Sequence, residues 1–299
     1  MRWGEPPPGP IVLEPDDSPS HPMAAWFAHM RSERSRGRLA SDGSGTRRRA
    51  VITIIHDEPV FLPIWLRYYS RFFAPEDMYV IDTDPPRGPA LGEQRFVRVP
   101  APHDGLDNLW MVARVEELQH NLLGRYDVVV VCDVDEIVAP SPRWGTLSKY
   151  LDVFGERWVN CLGYEVLHMR EREPPLRTNE PILAQRRYWY FNAGYNKPSI
   201  ATVPMYWRPG FHGREDFHMN LDPDLRLIHL HRVDYDICRK RHRTRAGHPW
   251  ASRDAQEGWG AQNFIVEEPE FGRWFYEDSS FAGYEIRVEE IPAAWRGAF

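Results

Sequence analysis

The chain has 299 residues, is 42% hydrophobic and 27% charged, and carries a formal net charge of −6. This is the composition of an ordinary globular protein, with room for one large α/β domain or two modest ones. The acidic balance argues against a nucleic-acid-binding surface, which is built from basic charge, and no apolar run approaches the roughly 18 residues of a spanning helix.

The start, MRWGEPPPGP, lacks the basic-then-apolar order of a signal peptide. Residues 1–48 combine this Pro-rich start, a short predicted helix around Met23–Arg34 and the Gly/Ser/Arg run before Ala50, a composition that cannot bury a core and reads as a tail or linker. The domain proper is expected over 49–299. Ala50–Ile55 is a continuous β-branched run, the pattern of a strand buried on both faces. His56-Asp-Glu-Pro59 reads as a loop, and Phe61–Phe73 has apolar residues at helical spacing up to Pro75. Met78–Asp82 predicts a second buried strand, Phe96–Val99 a short third, Asp107–Leu123 a helix with an aspartate near its cap, and Val128–Cys132 the next strand. Strand, helix, strand, strand, helix, strand is the rhythm of a parallel, doubly wound α/β sheet. Beyond Pro142 the pattern is less regular: Trp158–His168 and Leu225–His231 look strand-like and Tyr235–Arg245 a basic helix. The three cysteines, Cys132, Cys161 and Cys238, are odd in number and lie in apolar settings, as reduced core thiols of a cytoplasmic protein would.

In a doubly wound sheet, ligands bind beyond the carboxyl ends of the strands. Three predicted strands end in acids: Asp57 and Glu58, Asp82, and the D-V-D-E run Asp133–Glu136. Asp133 and Asp135 are two apart, so on extended chain they share a face at roughly 6–7 Å. Mg2+ and Mn2+ take oxygen ligands, commonly one or two carboxylates together with phosphates. A divalent ion bridging both carboxylates and a diphosphate accounts for the crowded charge. The alternative is a turn-capping Asp133, a solvated Asp135 and a helix-capping Glu136. Glu136 falls on the opposite side of a strand from its neighbours.

A buried strand ending in D-x-D-E resembles the metal-binding signature of GT-A fold glycosyltransferases. The stretch ITIIHDEPVFLPIWLRYYSRFFAPEDMYVIDTD resembles the opening of the subgroup allied to families 2 and 92 over roughly Val51–Val138. The resemblance implies a Rossmann-like, mostly parallel sheet flanked by helices, with a nucleotide-binding half at 49–142 and an aromatic-rich acceptor half at 143–299. It further implies a hexosyltransferase-like enzyme that moves a sugar from a nucleotide-diphosphate donor, a UDP-sugar first, to a hydroxyl of a glycan, small molecule or peptide. Asp57, Glu58 and Asp82 would hold the nucleoside, although the family carries Asn where Asp57 stands. Arg114 resembles the helix residue facing the diphosphate, or is an exposed helix arginine. Asp133 and Asp135 would hold Mn2+ or Mg2+ and, through the ion, the donor. His212, in a Gly-bracketed turn, resembles the histidine that completes such a site. His231 is its rival, on a strand face shared with His229, and either of those two reads equally as a hydrogen-bonded core histidine.

Lys197, one of three lysines, matches the lysine the family places before the Gly-Phe-His turn and is expected to contact phosphate or acceptor. Aromatic residues crowd 188–211, as they do at sugar sites and equally in a compact aromatic core. An inverting transferase needs a carboxylate base. Glu215 and Asp216 resemble the family's acidic pair, with Glu165 second, and a solvated acidic turn is the plain alternative for Glu215. Two other readings compete: a carbohydrate- or nucleotide-binding protein on a transferase fold without catalysis, and a phosphohydrolase using Asp133 as nucleophile. The latter normally places its D-x-D after the first strand, whereas here the strand is the fourth. Peripheral membrane contact is compatible with all of them.

Overall fold

The computed structural model describes residues 47–84, 96–278 and 286–299. The expected tail, apart from its last two residues, and the helix expected at Met23–Arg34 lie outside them. In chain order the elements are β1 (Arg49–Ile55), α1 (Phe61–Tyr69), β2 (Met78–Asp82), β3 (Val97–Pro100), α2 (Asn108–Leu122), β4 (Val128–Val131), β5 (Glu136–Pro140), α3 (Leu147–Asp152) and β6 (Trp158–Val166). There follow α4 (Ile182–Gln185), β7 (Tyr188–Phe191), β8 (Pro198–Ala201), β9 (Leu221–His229), α5 (Tyr235–Ala246), α6 (Ser252–Glu257), α7 (Glu270–Glu277) and β10 (Glu289–Glu290).

The strands form one mixed sheet in the order β10-β7-β6-β8-β4-β1-β2-β3. The run β4, β1, β2 and β3, which ends at the β3 edge, is all parallel. From β1 the chain steps outward to β2 and β3, then crosses back to β4 on the other side of β1. The topological switch point, where doubly wound sheets bind ligands, therefore lies between β1 and β4. Beyond β4 the parallel expectation gives way: β8, β6, β7 and β10 are joined by antiparallel pairings. β9 pairs parallel with β6 and antiparallel with β5.

β1 behaves as its sequence predicts. Val51 and Ile55 enter one core with α1 and α3, whereas Ala50, Ile52 and Ile54 enter another beneath α2, the period-two division of a strand covered on both faces. α1 seals the first core: Trp65 donates from Nε1 to the Cys132 Sγ at 3.3 Å, and the Tyr69 hydroxyl lies 3.2 Å from the same sulfur. α2 starts where Asp107 accepts from the Trp110 N–H at 2.9 Å, a side-chain cap of a free helix-end donor. α5 begins likewise at Asp234, which accepts from the N–H groups of Asp236 and Ile237. Among the described residues no helix is long and apolar enough to cross a membrane.

Candidate functional site

The chain leaves β4 at Val131 and turns at once. The Glu136 N–H donates to the Asp133 carbonyl at 3.0 Å, and the Asp133 N–H donates to the Glu136 Oε2 at 2.9 Å. β5 then starts at Glu136, opposite His229 of β9. An extended D-x-D would present both aspartates on one face. The tight turn instead separates Asp135 from Asp133 and Glu136.

Asp133 and Glu136 share Lys197, whose Nζ lies 2.6 Å from the Asp133 Oδ2 and 2.7 Å from the Glu136 Oε1. Burial alone would lower the Lys197 pKa, but the two carboxylates outweigh it and raise it. Glu136 is fully buried. Burial pushes its carboxyl up to about 7, with Lys197 holding back part of the rise. Lys197 is thus an internal clasp across the turn, a position from which the sequence reading expected a contact with phosphate or acceptor.

Asp135, buried on the other side, meets the Arg241 guanidinium from α5 and lies 3.5 Å from the His229 Nε2. Burial opposes its charge, yet Arg241 and His229 hold its carboxyl well below the usual range. Arg241 also donates from Nε to the Glu58 Oε2 at 2.8 Å. One guanidinium therefore ties the end of β1 to the turn after β4, across the switch point. Its NH2 is buried with no partner among the described residues. Arg245, one helical turn on, reaches to 4.0 Å from Glu58.

His229 ends β9. Its Nδ1 lies 2.6 Å from the Glu165 Oε2, and the other Glu165 oxygen accepts from the Arg232 N–H at 3.1 Å. Burial works against its charge, but Glu165 and Asp135 lift its pKa to about 10. Tyr195 stacks on the ring with centroids 4.1 Å apart, an approach that needs Gly163, where a Cβ would come within 2.5 Å of the Tyr195 Cβ. The donor atoms of Asp135, His229 and His231 lie within 4.8 Å of one another. A carboxylate oxygen with imidazole nitrogens suits a first-row divalent ion. A carboxylate on the far nitrogen, as Glu165 is on His229, is the partner that orients a ligating imidazole.

Of the four expected metal ligands, Asp135 and His231 fall in this group. Asp133 is held by Lys197, and His212, whose ring centroid lies 5.8 Å from that of Tyr195, is outside the donor group, with its Nδ1 2.7 Å from the Gly194 carbonyl oxygen. Burial, followed by the Lys197 charge, pushes His212 down to about 3. Glu58 is buried against Arg241. Asp57 precedes it, half-buried at φ 46°, a left-handed backbone that aspartate tolerates better than most residues. Asp82 is buried with its Oδ2 on Arg98 of β3 and its Oδ1 accepting from the Asp84 N–H at 3.1 Å. Beside it His56 and Thr83 meet at 2.7 Å. Arg114 is spent on the α2 surface, 2.7 Å from Glu117.

Glu165 is not free to serve an acceptor: it is buried and committed to His229 and Arg232. Asp216 is exposed and gripped by Arg214 through two bonds, 2.9 and 2.7 Å long, which lower its pKa. Glu215 is exposed. The aromatic stretch resolves mostly into core: Trp189, Tyr190, Tyr195, Trp207 and Phe211 are buried, whereas Tyr206 stays open, as do Phe217 and Met219 farther along. Sequence reasoning missed Arg241, Arg245 and the role of His229. α5 was legible as a basic helix, but nothing local tells which arginine turns inward.

No protein-family profile matches the chain, and neither does any curated protein. Among solved structures the chain is similar to the mannosyltransferase PcManGT from Pyrobaculum calidifontis in complex with GDP-Man and Mn2+. Identity is 10%, the TM-score is 0.37, and the match covers 92% of this chain and 74% of that one. A likeness at that distance identifies neither donor nor acceptor.

Proposed function

We propose that the chain is a glycosyltransferase, moving a sugar from a nucleotide-diphosphate donor, a UDP-sugar first, to an acceptor hydroxyl. The observation that carries this reading is the position of the D-x-D-E turn. It closes the central strand β4 at the switch point, and Arg241 joins its Asp135 to the Glu58 that follows β1. Doubly wound sheets bind nucleotides at that place.

Asp135 and His229 are the proposed holders of Mn2+ or Mg2+, with His231 as third donor and Glu165 fixing the His229 ring. When bound, the ion would offset charge gathering on the departing diphosphate. Arg241 and Arg245 serve the same charge from α5, and the unpartnered, buried NH2 of Arg241 is the donor left for a phosphate oxygen. A guanidinium suits such an oxygen because its donors are planar and always charged. Glu58, Asp57 and Asp82 face the nucleoside side of the crevice. Lys197 keeps the Asp133–Glu136 turn closed, so that Asp135 stays aimed inward. Glu215 is retained as acceptor base, because its carboxylate is not clasped as those of Asp216 and Glu165 are. Catalysis in such a site is chiefly positioning and electrostatic stabilisation.

A thermal-shift screen of nucleoside diphosphates with and without Mn2+ tests the reading. It expects one nucleotide to raise the Tm in Mn2+ and to lose most of that effect in EDTA. A flat response to every nucleotide under both conditions contradicts it.

A further inference from the structure

Beside the Asp135 group lies a second cluster of donor atoms, which shares only His231 with the transferase reading. His231 stands just beyond β9, and Cys238 and His242 stand one turn apart on α5. All three are buried, with donor atoms within 4.8 Å of one another. The Nε2 atoms of the two histidines face each other at 2.8 Å. The His242 Nδ1 lies 3.0 Å from the Ile265 carbonyl oxygen, which can only accept, so that nitrogen carries the proton and Nε2 presents a lone pair. Trp274 lies 5.6 and 4.6 Å from the two rings and Phe271 lies 5.3 Å from His242. His231 therefore donates its Nε2–H to the His242 lone pair, and two imidazole nitrogens this close, a thiol beside them and a carbonyl fixing one tautomer are the donor types a zinc-type ion takes.

We infer that His231, Cys238 and His242 form a structural site for zinc, the ion taking Nε2 of each histidine and the Cys238 thiolate. With Zn–N bonds of about 2.0–2.1 Å, two nitrogens on a tetrahedral ion sit about 3.3 Å apart, so the pair opens by about 0.5 Å on binding. The thiol proton leaves to solvent as the sulfur ligates, because only the thiolate binds, and the His231 ring exchanges its Nε2 proton for one on Nδ1. The ion pins α5 to the end of β9, and next to His242 on that helix is Arg241, the bridge between Glu58 and Asp135. Zinc thereby fixes the cations of the crevice without entering it. Using Nε2 of His231 here puts that ring's proton on Nδ1, so a zinc-loaded chain holds the ion of the Asp135 group through Asp135 and His229.

The site is tested on untagged full-length protein, independently of any transfer activity. Elemental analysis after dialysis against EDTA is expected to find one zinc per chain. Replacing it with Co2+ should give a near-ultraviolet sulfur-to-cobalt charge-transfer band, which a site made only of Asp and His cannot produce. The band should persist in Asp135→Asn and vanish in Cys238→Ser. A zinc-free chain, a cobalt-loaded wild type without the band, or a band that survives Cys238→Ser overturns the inference. Should Cys238→Ser fail to fold, the wild-type spectrum and zinc content still decide. Because the readout is a cysteine ligand, it can fail while the transferase reading stands, or succeed while that reading falls.

Discussion

Arg241 and Asp135 are 106 residues apart in the chain, yet guanidinium and carboxylate meet directly where both are almost closed off from water. Glu58 completes the bridge, 183 residues from Arg241. Removing one partner of a buried ion pair is more damaging than the pair's net worth, because it strands the remaining charges in a poor solvent. Arg241→Ala leaves two buried carboxylates without their shared cation. It is expected to lower unfolding free energy by about 3–5 kcal/mol, read as a fall in the urea midpoint at unchanged slope. A midpoint within error of wild type would show that the bridge carries no weight.

His212 gives the chain a measurable sensitivity to acid. Burial, followed by the Lys197 charge, pushes its folded pKa down to about 3, while the unfolded histidine titrates near 6.5. Below pH 6.5 the unfolded chain takes a proton that the native chain refuses, so falling pH favours unfolding. Relative to His212→Asn, wild-type stability should be flat above pH 6.5 and drop by up to about 1.4 kcal/mol per pH unit below it. Comparing the two proteins removes the contribution of Glu136, which has the opposite sign. Parallel stability curves from pH 7 to pH 4.5 would mean that His212 is protonated as readily folded as unfolded.

Glu215 and Asp216 differ in what holds them. The Arg214 fork occupies Asp216, and Glu215 stands exposed beside it. General-base catalysis typically contributes about 10²–10⁴-fold. Glu215→Gln is therefore expected to lower kcat by that range with donor affinity unchanged, and Asp216→Asn to leave kcat within a few-fold. Equal small effects from both would return Glu215 to the role of a solvated turn residue.

Local patterns carried the sequence reading as far as local physics reaches. The β-branched run of β1 and the capped start of α2 were legible because strand periodicity and capping chemistry lie within a few residues. The acids at the strand ends were legible because a doubly wound rhythm says where strand ends gather. The D-x-D pair was misjudged in detail: the turn is set by the Asp133–Glu136 backbone bonds and by β5 pairing with β9, a partner that arrives 85 or more residues later. The inward turn of Arg241 and the Glu165–His229 pair depend on partners 64 or more residues away. The aromatics of 188–211 could not be sorted in advance, since buried and sugar-facing rings share one composition: β7 buries Trp189 and Tyr190, and the segments after it bury Tyr195, Trp207 and Phe211.

The most direct test of the central claim is calorimetric titration of the favoured nucleoside diphosphate into wild type in Mn2+, into wild type in EDTA, and into Asp135→Asn in Mn2+. The account predicts binding at least about tenfold tighter in Mn2+ than in EDTA, a difference of about 1.4 kcal/mol, and loss of that gain in Asp135→Asn with the far-ultraviolet circular dichroism unchanged. Equal affinity in Mn2+ and EDTA, or a metal-dependent gain that survives Asp135→Asn, would contradict it.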